Sequence, residues 1–235
     1  YLRTLFAACA LLAGACASAP AASAQAQSHW DNVSRVVAIG DLEGDYEKFA
    51  DMLRTSNLVD AQGDWIGGSA HLVQLGDIPD RGPNSRMIMD HLMRLEPQAQ
   101  RAGGYVHALI GNHEAMNVEG DLRYVHPGEY AAFADAGSER RRQRLYRDTL
   151  SALRANPPAA GLPVFDDAFR AQWESTHPLG YAEHREAWGP NGRYGRWIAS
   201  HDAVIRINDT LFVHGGLGPS FVTPSADMMN SAVRG

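Results

Sequence analysis

Along this chain, short aliphatic runs alternate with stretches in which apolar residues recur every three or four positions. Val36, Val37 and Ile39, then Leu72, Val73 and Leu75, then Val106, Leu109 and Ile110 read as three buried strands. Between them, Tyr46 to Leu58 carries Phe49, Met52 and Leu53 at helical spacing, and Ser85 to Leu95 carries Ile88, Met89, Leu92 and Leu95 in the same way. Strands joined by crossover helices predict an α/β fold. Open sheets of this kind place their ligands beyond the C-terminal ends of the strands.

The pattern then changes. After His113 comes a long stretch rich in Ala, Arg and Pro, with helical candidates at Glu139 to Leu153 and Phe165 to Trp173. It predicts a helical insertion over about 121–197 beside the mouth of the site. Ala203 to Ile207 and Leu211 to His214 follow as a pair of strands, turned through Asn208-Asp209-Thr210 into a hairpin. No internal repeat is evident.

Composition adds little to the fold and more to the context. The chain has 235 residues, 45% hydrophobic and 20% charged, ordinary for one α/β domain with a substantial core. Its net charge of -6 argues against a nucleic-acid partner, since binding to phosphodiester backbones depends on Lys and Arg neutralising phosphates. Leu5 to Ala17 is an apolar run preceded by Arg3 and followed by Ala22-Ser23-Ala24, the pattern of a secretory signal peptide over residues 1–24. It is too short to span a bilayer, so no transmembrane segment is expected. Export to the periplasm follows, and both cysteines, Cys9 and Cys16, would leave with the peptide. Lipid modification of Cys16 is the alternative, disfavoured by Ala13 where such signals carry Leu.

The chemistry sits in three blocks that each close a strand: Gly40-Asp41-Leu42-Glu43-Gly44, Gly76-Asp77-Ile78-Pro79-Asp80-Arg81-Gly82 and Gly111-Asn112-His113-Glu114. Two divalent metals roughly 3.5 to 4 Å apart need one carboxylate that bridges them, with oxygen donors and imidazoles filling the other positions. Asp77 suits the bridge, and Asn112 offers an amide oxygen. If strand geometry persists through Leu42, Asp41 and Glu43 leave on one face and can hold an ion together.

In these blocks the chain resembles the calcineurin-like metallophosphoesterases, in their phosphoprotein-phosphatase branch. The run Gly111 to Asn117 followed by Gly120-Asp121-Leu122-Arg123-Tyr124 is similar to the Shewanella-like phosphatases, and Phe212-Val213-His214-Gly215-Gly216-Leu217 also matches. The resemblance runs from Val36 to Leu217. It implies a β-sandwich flanked by helices over 25–235 and a site holding two divalent ions, Mn²⁺ foremost, with Fe, Zn or Mg as alternatives. Asp41 and Asp77 resemble ligands of the first metal, with Asp77 bridging to a second that Asn112 and His214 also hold. His113 resembles the general acid, oriented by Asp80. Arg81 resembles the guanidinium that grips the phosphate, with Asn112 and the ions also stabilising charge on the phosphoryl oxygens.

The implied reaction is hydrolysis of a phosphomonoester by a metal-bridging hydroxide, without a phosphoenzyme. The substrate would be a phosphorylated protein, at Ser/Thr or Tyr, or a small phosphomonoester. A dinucleoside polyphosphate hydrolase shares the same three blocks, and a non-catalytic binding protein on the same scaffold is the other rival. One position departs from the family pattern: Glu43 stands where Asp-x-His places an imidazole. As a ligand it would favour harder ions, and as a helix cap it would do no chemistry. The family also carries a further metal-binding histidine on a later strand. No histidine follows His214, so the resemblance implies a domain truncated at its C-terminus.

Other conspicuous residues read as ordinary. The run Arg140, Arg141, Arg142, Arg144 and Arg147 reads as a solvated helix face, and Trp173, Trp188 and Trp197 as packing between the insertion and the sheet. His29, His71, His91, His126, His177, His184 and His201 read as surface or loop histidines, and His107 as a hydrogen-bonded core residue. Glu114 reads as the start of a helix. Gly215 and Gly216 suit close backbone approach to the site or a plain turn.

Overall fold

The computed structural model describes residues 27–219 and 225–234. The signal-peptide reading, with Cys9 and Cys16, therefore lies outside the described residues.

Two three-stranded sheets organise the chain. The first joins β2 (Val36–Ile39), β3 (His71–Gln74) and β4 (Tyr105–Ala108), all parallel and in sequence order. Val36 pairs with His71 and His71 with Tyr105, so the three strands end level at Ile39, Gln74 and Ala108. Level ends bring the three loops that follow to one edge. The second sheet joins β1 (His29–Trp30), β5 (Val204–Ile207) and β6 (Thr210–Val213) in the order β1-β5-β6. The β5–β6 pair is the expected hairpin. Asn208 turns it with φ +52 and bonds Val33 through both ends of its amide, at 3.1 and 2.9 Å.

Alternation along β3 explains why both faces of the parallel sheet are covered. Leu72 and Val73 are fully buried but point to opposite sides. Leu72 packs with Phe49 and Leu53 of α1 (Tyr46–Thr55) and with Ile88, Met89, Leu92 and Leu95 of α2 (Ser85–Arg101). Val73 and Leu109 instead meet Ile205 and Ile207 of the second sheet, with Trp30, Val36 and Phe212 around them. This is the β-sandwich flanked by helices.

Helix ends depart from the periodicity for local reasons. The first helix stops at Thr55 and not at Leu58, because Asn57 turns left-handed at φ +50 and the N–H of Leu58 closes on the Leu53 carbonyl. The second helix runs past Leu95, through Pro97, to Arg101. Its last turn is held by Gln98, which accepts the Trp65 N–H at 2.8 Å and donates to Asp64 at 2.9 Å.

The remaining helices are α3 (Asn112–Glu119), α4 (Pro127–Phe133), α5 (Ser138–Ala155), α6 (Asp167–Thr176), α7 (Tyr181–Trp188), α8 (Arg193–Ala199) and α9 (Ala226–Arg234). Glu129 of α4 is buried and accepts the Ser85 N–H at 2.6 Å, capping α2 where Asn84 makes no side-chain cap. Trp188 and Trp197 are core residues, and Trp197 donates to Glu96 of α2. Trp173 stacks on His177 within the helical region. The arginine run lies on α5, where Arg141 pairs with Asp135 and Glu183 and Arg142 with Glu139.

Three histidines correct the surface reading. His71, His91 and His184 are buried. His71 is drawn inside because β3 is covered on both faces, and its Nδ1 lies 3.0 Å from His107 Nε2 in the gap between the sheets. His184 is enclosed by Tyr130, Phe133 and Trp188, with no hydrogen-bond partner for either ring nitrogen among the described residues.

Candidate metal centre and catalytic pair

The three loops after β2, β3 and β4 are bonded into one block. The carbonyl of Asp77 accepts from the N–H groups of Leu42 and Glu43, at 2.9 and 3.0 Å, and that of Ile78 accepts from Gly44 at 2.9 Å. Loop approach is so close that a Cβ on Gly44 would stand 2.5 Å from the Gly82 carbonyl oxygen, and one on Gly76 would stand 2.6 Å from the Gly111 nitrogen. Only glycine fits there.

Glu114, read from sequence as no more than a helix start, fastens the second loop to the third. It is buried at the first turn of α3, where Oε2 accepts the N–H groups of Asp77 and Gly111 and Oε1 that of Ile78. Burial pushes its carboxyl up, and the three amide donors pull the other way. The Gly-Asn-His-Glu spacing, with Glu three residues after a helix N-cap, is the signal that points to such a role.

Strain is concentrated here. Among described non-glycine residues, Glu43, Asp77, Asp80 and Arg81 take positive φ, and the three others that do so are asparagines, which tolerate it. The same fact removes the ground for pairing Asp41 with Glu43. The strand ends at Ile39, and Glu43 turns left-handed at φ +47, so strand alternation does not relate the two side chains. Glu43 instead forms an ion pair with Arg81.

Asp41, Asp77 and His214 each present a ligand atom within 4.8 Å of the others. Asp77 is buried, Asp41 is half exposed, and His214 arrives from the end of β6 in the other sheet. Nδ1 of His214 lies 3.1 Å from the Leu75 carbonyl, to which only an N–H can donate. In the neutral imidazole of that tautomer Nε2 carries the lone pair, and it faces Oδ1 of Asn112 at 3.0 Å and Oδ2 of Asp77 at 3.2 Å. Three electron-rich atoms converging in this way suit a cation, and the mixed oxygen and imidazole donors suit a divalent transition metal. The residues therefore fit the ions that the sequence implies. His214 holds its place through Leu75, as metal-bound imidazoles generally do through their second nitrogen.

Beside this pocket, His113 Nδ1 bonds Oδ2 of Asp80 at 2.5 Å, and its Nε2 lies 3.8 Å from Oδ2 of Asp77. Both partners of the first bond are buried. Asn117, fully buried on α3, donates to Oδ1 of Asp80 and to the His113 carbonyl, each at 3.0 Å. The sequence pattern assigns it no role, and its position one helical turn after His113 is the signal that points to one. Arg81 lies at the mouth, its backbone N–H bonded to the Tyr124 carbonyl at 2.9 Å. An open cleft of about 470 Å³ leads away from it, lined by Asp41, Glu43, Lys48, Arg81 and Asn84 among others.

Comparison with known proteins follows the same blocks. A family model described as calcineurin-like phosphoesterase matches residues 34–230. Shewanella-like protein phosphatase 2 of Arabidopsis thaliana is 33% identical over 213 residues, covering 89% of this chain and 53% of that protein. Shewanella-like protein phosphatase 1 of Plasmodium berghei is 37% identical over 191 residues, 80% of this chain and 41% of that protein. The crystal structure of a cold-active protein-tyrosine phosphatase from a psychrophilic Shewanella species superposes with a TM-score of 0.62 at 27% identity, over 88% of this chain and 50% of that one. The chain spans about half the length of the relatives it matches.

Proposed function

The chain belongs to the calcineurin-like phosphoesterase family, and from that premise we propose that it is a metal-dependent phosphomonoester hydrolase acting on phosphoproteins. One observation carries the reading: the acceptor pocket of Asp41, Asp77, Asn112 and His214 lies against the His113–Asp80 pair, with Arg81 at its rim.

Asp41, Asp77, Asn112 and His214 would hold the ions, with Asp77 the buried carboxylate of the cluster. Divalent ions bound there would supply Lewis acidity and an activated water. The chain's own residues do the rest. Asp80 holds the Nδ1–H of His113, which leaves Nε2 directed toward Asp77 and placed to give a proton to the departing alkoxide. Arg81 presents a planar fork to the non-bridging phosphoryl oxygens once Glu43 gives way. Oxygen donors outnumber nitrogen, which favours Mn²⁺ over softer ions.

The Shewanella neighbour is named a protein-tyrosine phosphatase, and this supports phosphotyrosine as a substrate. Export to the periplasm is part of the proposal, on the strength of residues 1–24. The test is metal content and turnover of p-nitrophenyl phosphate before and after chelation. Activity should vanish with the metal and return best with Mn²⁺. Undiminished turnover after verified metal removal would overturn the two-metal reading.

A further inference from the structure

The segment Gly120-Asp121-Leu122-Arg123-Tyr124, which follows the catalytic helix, has no part in the chemistry above. Its backbone is nevertheless built with care. Gly120 ends α3 at φ +95, the Asp121 N–H closes on the Met116 carbonyl at 2.8 Å, and Arg123 clasps the Asp121 carboxylate through Nε and Nη2 at 2.9 and 2.7 Å. The result is to present one side chain, Tyr124, at the mouth of the site.

Tyr124 touches both of the groups a phosphomonoester must meet. Its carbonyl accepts the Arg81 N–H, the Arg81 guanidinium lies 5.7 Å from its ring centre, and its ring centre is 5.2 Å from that of His113. The residue is still 45% exposed, although two charged or polar groups already flank it. A large aromatic surface left open between a phosphate clamp and a proton donor has a geometric meaning. The leaving oxygen must come within hydrogen-bond reach of His113, so the atoms attached to that oxygen pass beside the ring nearest His113. That ring is Tyr124.

We propose that Tyr124 is a specificity-determining residue that packs its open face against the leaving group and favours aryl over alkyl phosphomonoesters. The inference rests on the phosphomonoesterase reading and deepens it. A flat ring meets a flat ring in offset or tilted contact, and that contact is absent for the short aliphatic carbon of a serine ester. Arg81 over the same ring polarises it and ties its position to the clamp.

The test compares metal-loaded wild type with Tyr124→Leu and Tyr124→Phe on two peptides of one sequence, bearing phosphotyrosine or phosphoserine at the same place. Tyr124→Leu should raise KM for the phosphotyrosine peptide by about 2- to 12-fold, the span of an aromatic pair contact. KM for the phosphoserine peptide and kcat for both should stay within about twofold, and Tyr124→Phe should behave as wild type. An equal loss on both peptides, or no change on either, overturns the proposal. Binding of phenylphosphonate against methylphosphonate supplies a second readout independent of turnover. If wild type hydrolyses neither peptide, the phosphomonoesterase reading fails. The Tyr124 proposal is then still decided by whether Tyr124→Leu erases a wild-type preference for the phenyl compound.

Discussion

Glu114 Oε2 accepts the backbone N–H of Asp77 at 2.9 Å, and the same carboxylate takes the N–H groups of Gly111 and Ile78. Asp77 is held at φ +57 by this anchor together with its carbonyl bonds to the first loop. Glu114→Ala would leave three buried donors unpaired, each costing about 1 to 3 kcal/mol. Urea unfolding should show a loss of roughly 3 kcal/mol or more, with metal binding impaired in the folded fraction. Glu114→Gln turns one acceptor oxygen into a donor and should fall between the two. Equal stability of all three proteins would contradict the anchoring role.

Asp80 receives His113 Nδ1 on one oxygen and Asn117 Nδ2 on the other. His113→Ala should lower kcat by about 10² to 10⁴ on alkyl phosphates, the range for a lost general acid. The loss should shrink on p-nitrophenyl phosphate, whose leaving group needs no proton. Asp80→Asn should follow the same leaving-group dependence, and the double variant should be little worse than either single one, because the two residues act as a unit. Rates that fall equally for good and poor leaving groups would reject the assignment.

Glu43 and Arg81 form a partly exposed ion pair, so the clamp is engaged before any phosphate arrives. Exposed pairs contribute about 0.2 to 1 kcal/mol. Glu43→Gln at saturating metal should therefore tighten inhibition by inorganic phosphate by up to about fivefold. Should Glu43 also hold an ion, the same variant will show weaker metal binding in titrations at limiting Mn²⁺. Phosphate inhibition that is unaltered or weaker at saturating metal would remove the competitive role.

Sensitivity to acid follows from histidines kept neutral by burial. Burial, with His71 and His201 nearby, takes His107 down to about 3, and burial with Arg185 takes His184 to about 3; His71 and His91 are also lowered by burial. In the unfolded chain these groups take up protons near pH 6.5. The stabilisation is thus complete above pH 6.5 and is lost as pH falls from there toward 3. His107 and His184 each add a slope of about 1.4 kcal/mol per pH unit within that window. Urea unfolding at pH 7.5 and pH 5 should show the difference. His184→Phe, which places an apolar ring among Tyr130, Phe133 and Trp188, should reduce it by one group's share; an unchanged pH dependence would show that His184 does not contribute.

Much of this was legible because strand and turn write themselves locally. Leu72 to Leu75 and Val106 to Ile110 are apolar runs that the sheet buries, Val36 to Ile39 is a half-buried edge strand, and the loops after all three carry the ligand types. Asp41, Asp77 and His214, which the family resemblance names as ligands, lie together, although the last comes from a different sheet. What could not be read depends on tertiary contact. The β1 strand is two residues long and exists through pairing with Arg206 and Ile207. Asn117 and Glu114 act across loops far away in sequence. His71 and His184 look polar one residue at a time, and only the neighbours packed around them put them inside. The left-handed turn at Glu43 takes it off the strand alternation that would pair it with Asp41, and no side-chain spacing records that turn.

The glycine contacts at Gly44, Gly76 and Gly82 carry a lesson for anyone wishing to move this centre to another scaffold. With backbone on backbone, no loop has a shape of its own that survives separation from the other two. Transplanting one of the three sequences would carry its ligands but not the mould that aims them. Inserting a single residue into any of them would shift the other two. The portable unit is the whole edge of β2, β3 and β4 together with the first turn of α3, and recombination that cuts inside it should yield folded proteins with a misaligned centre.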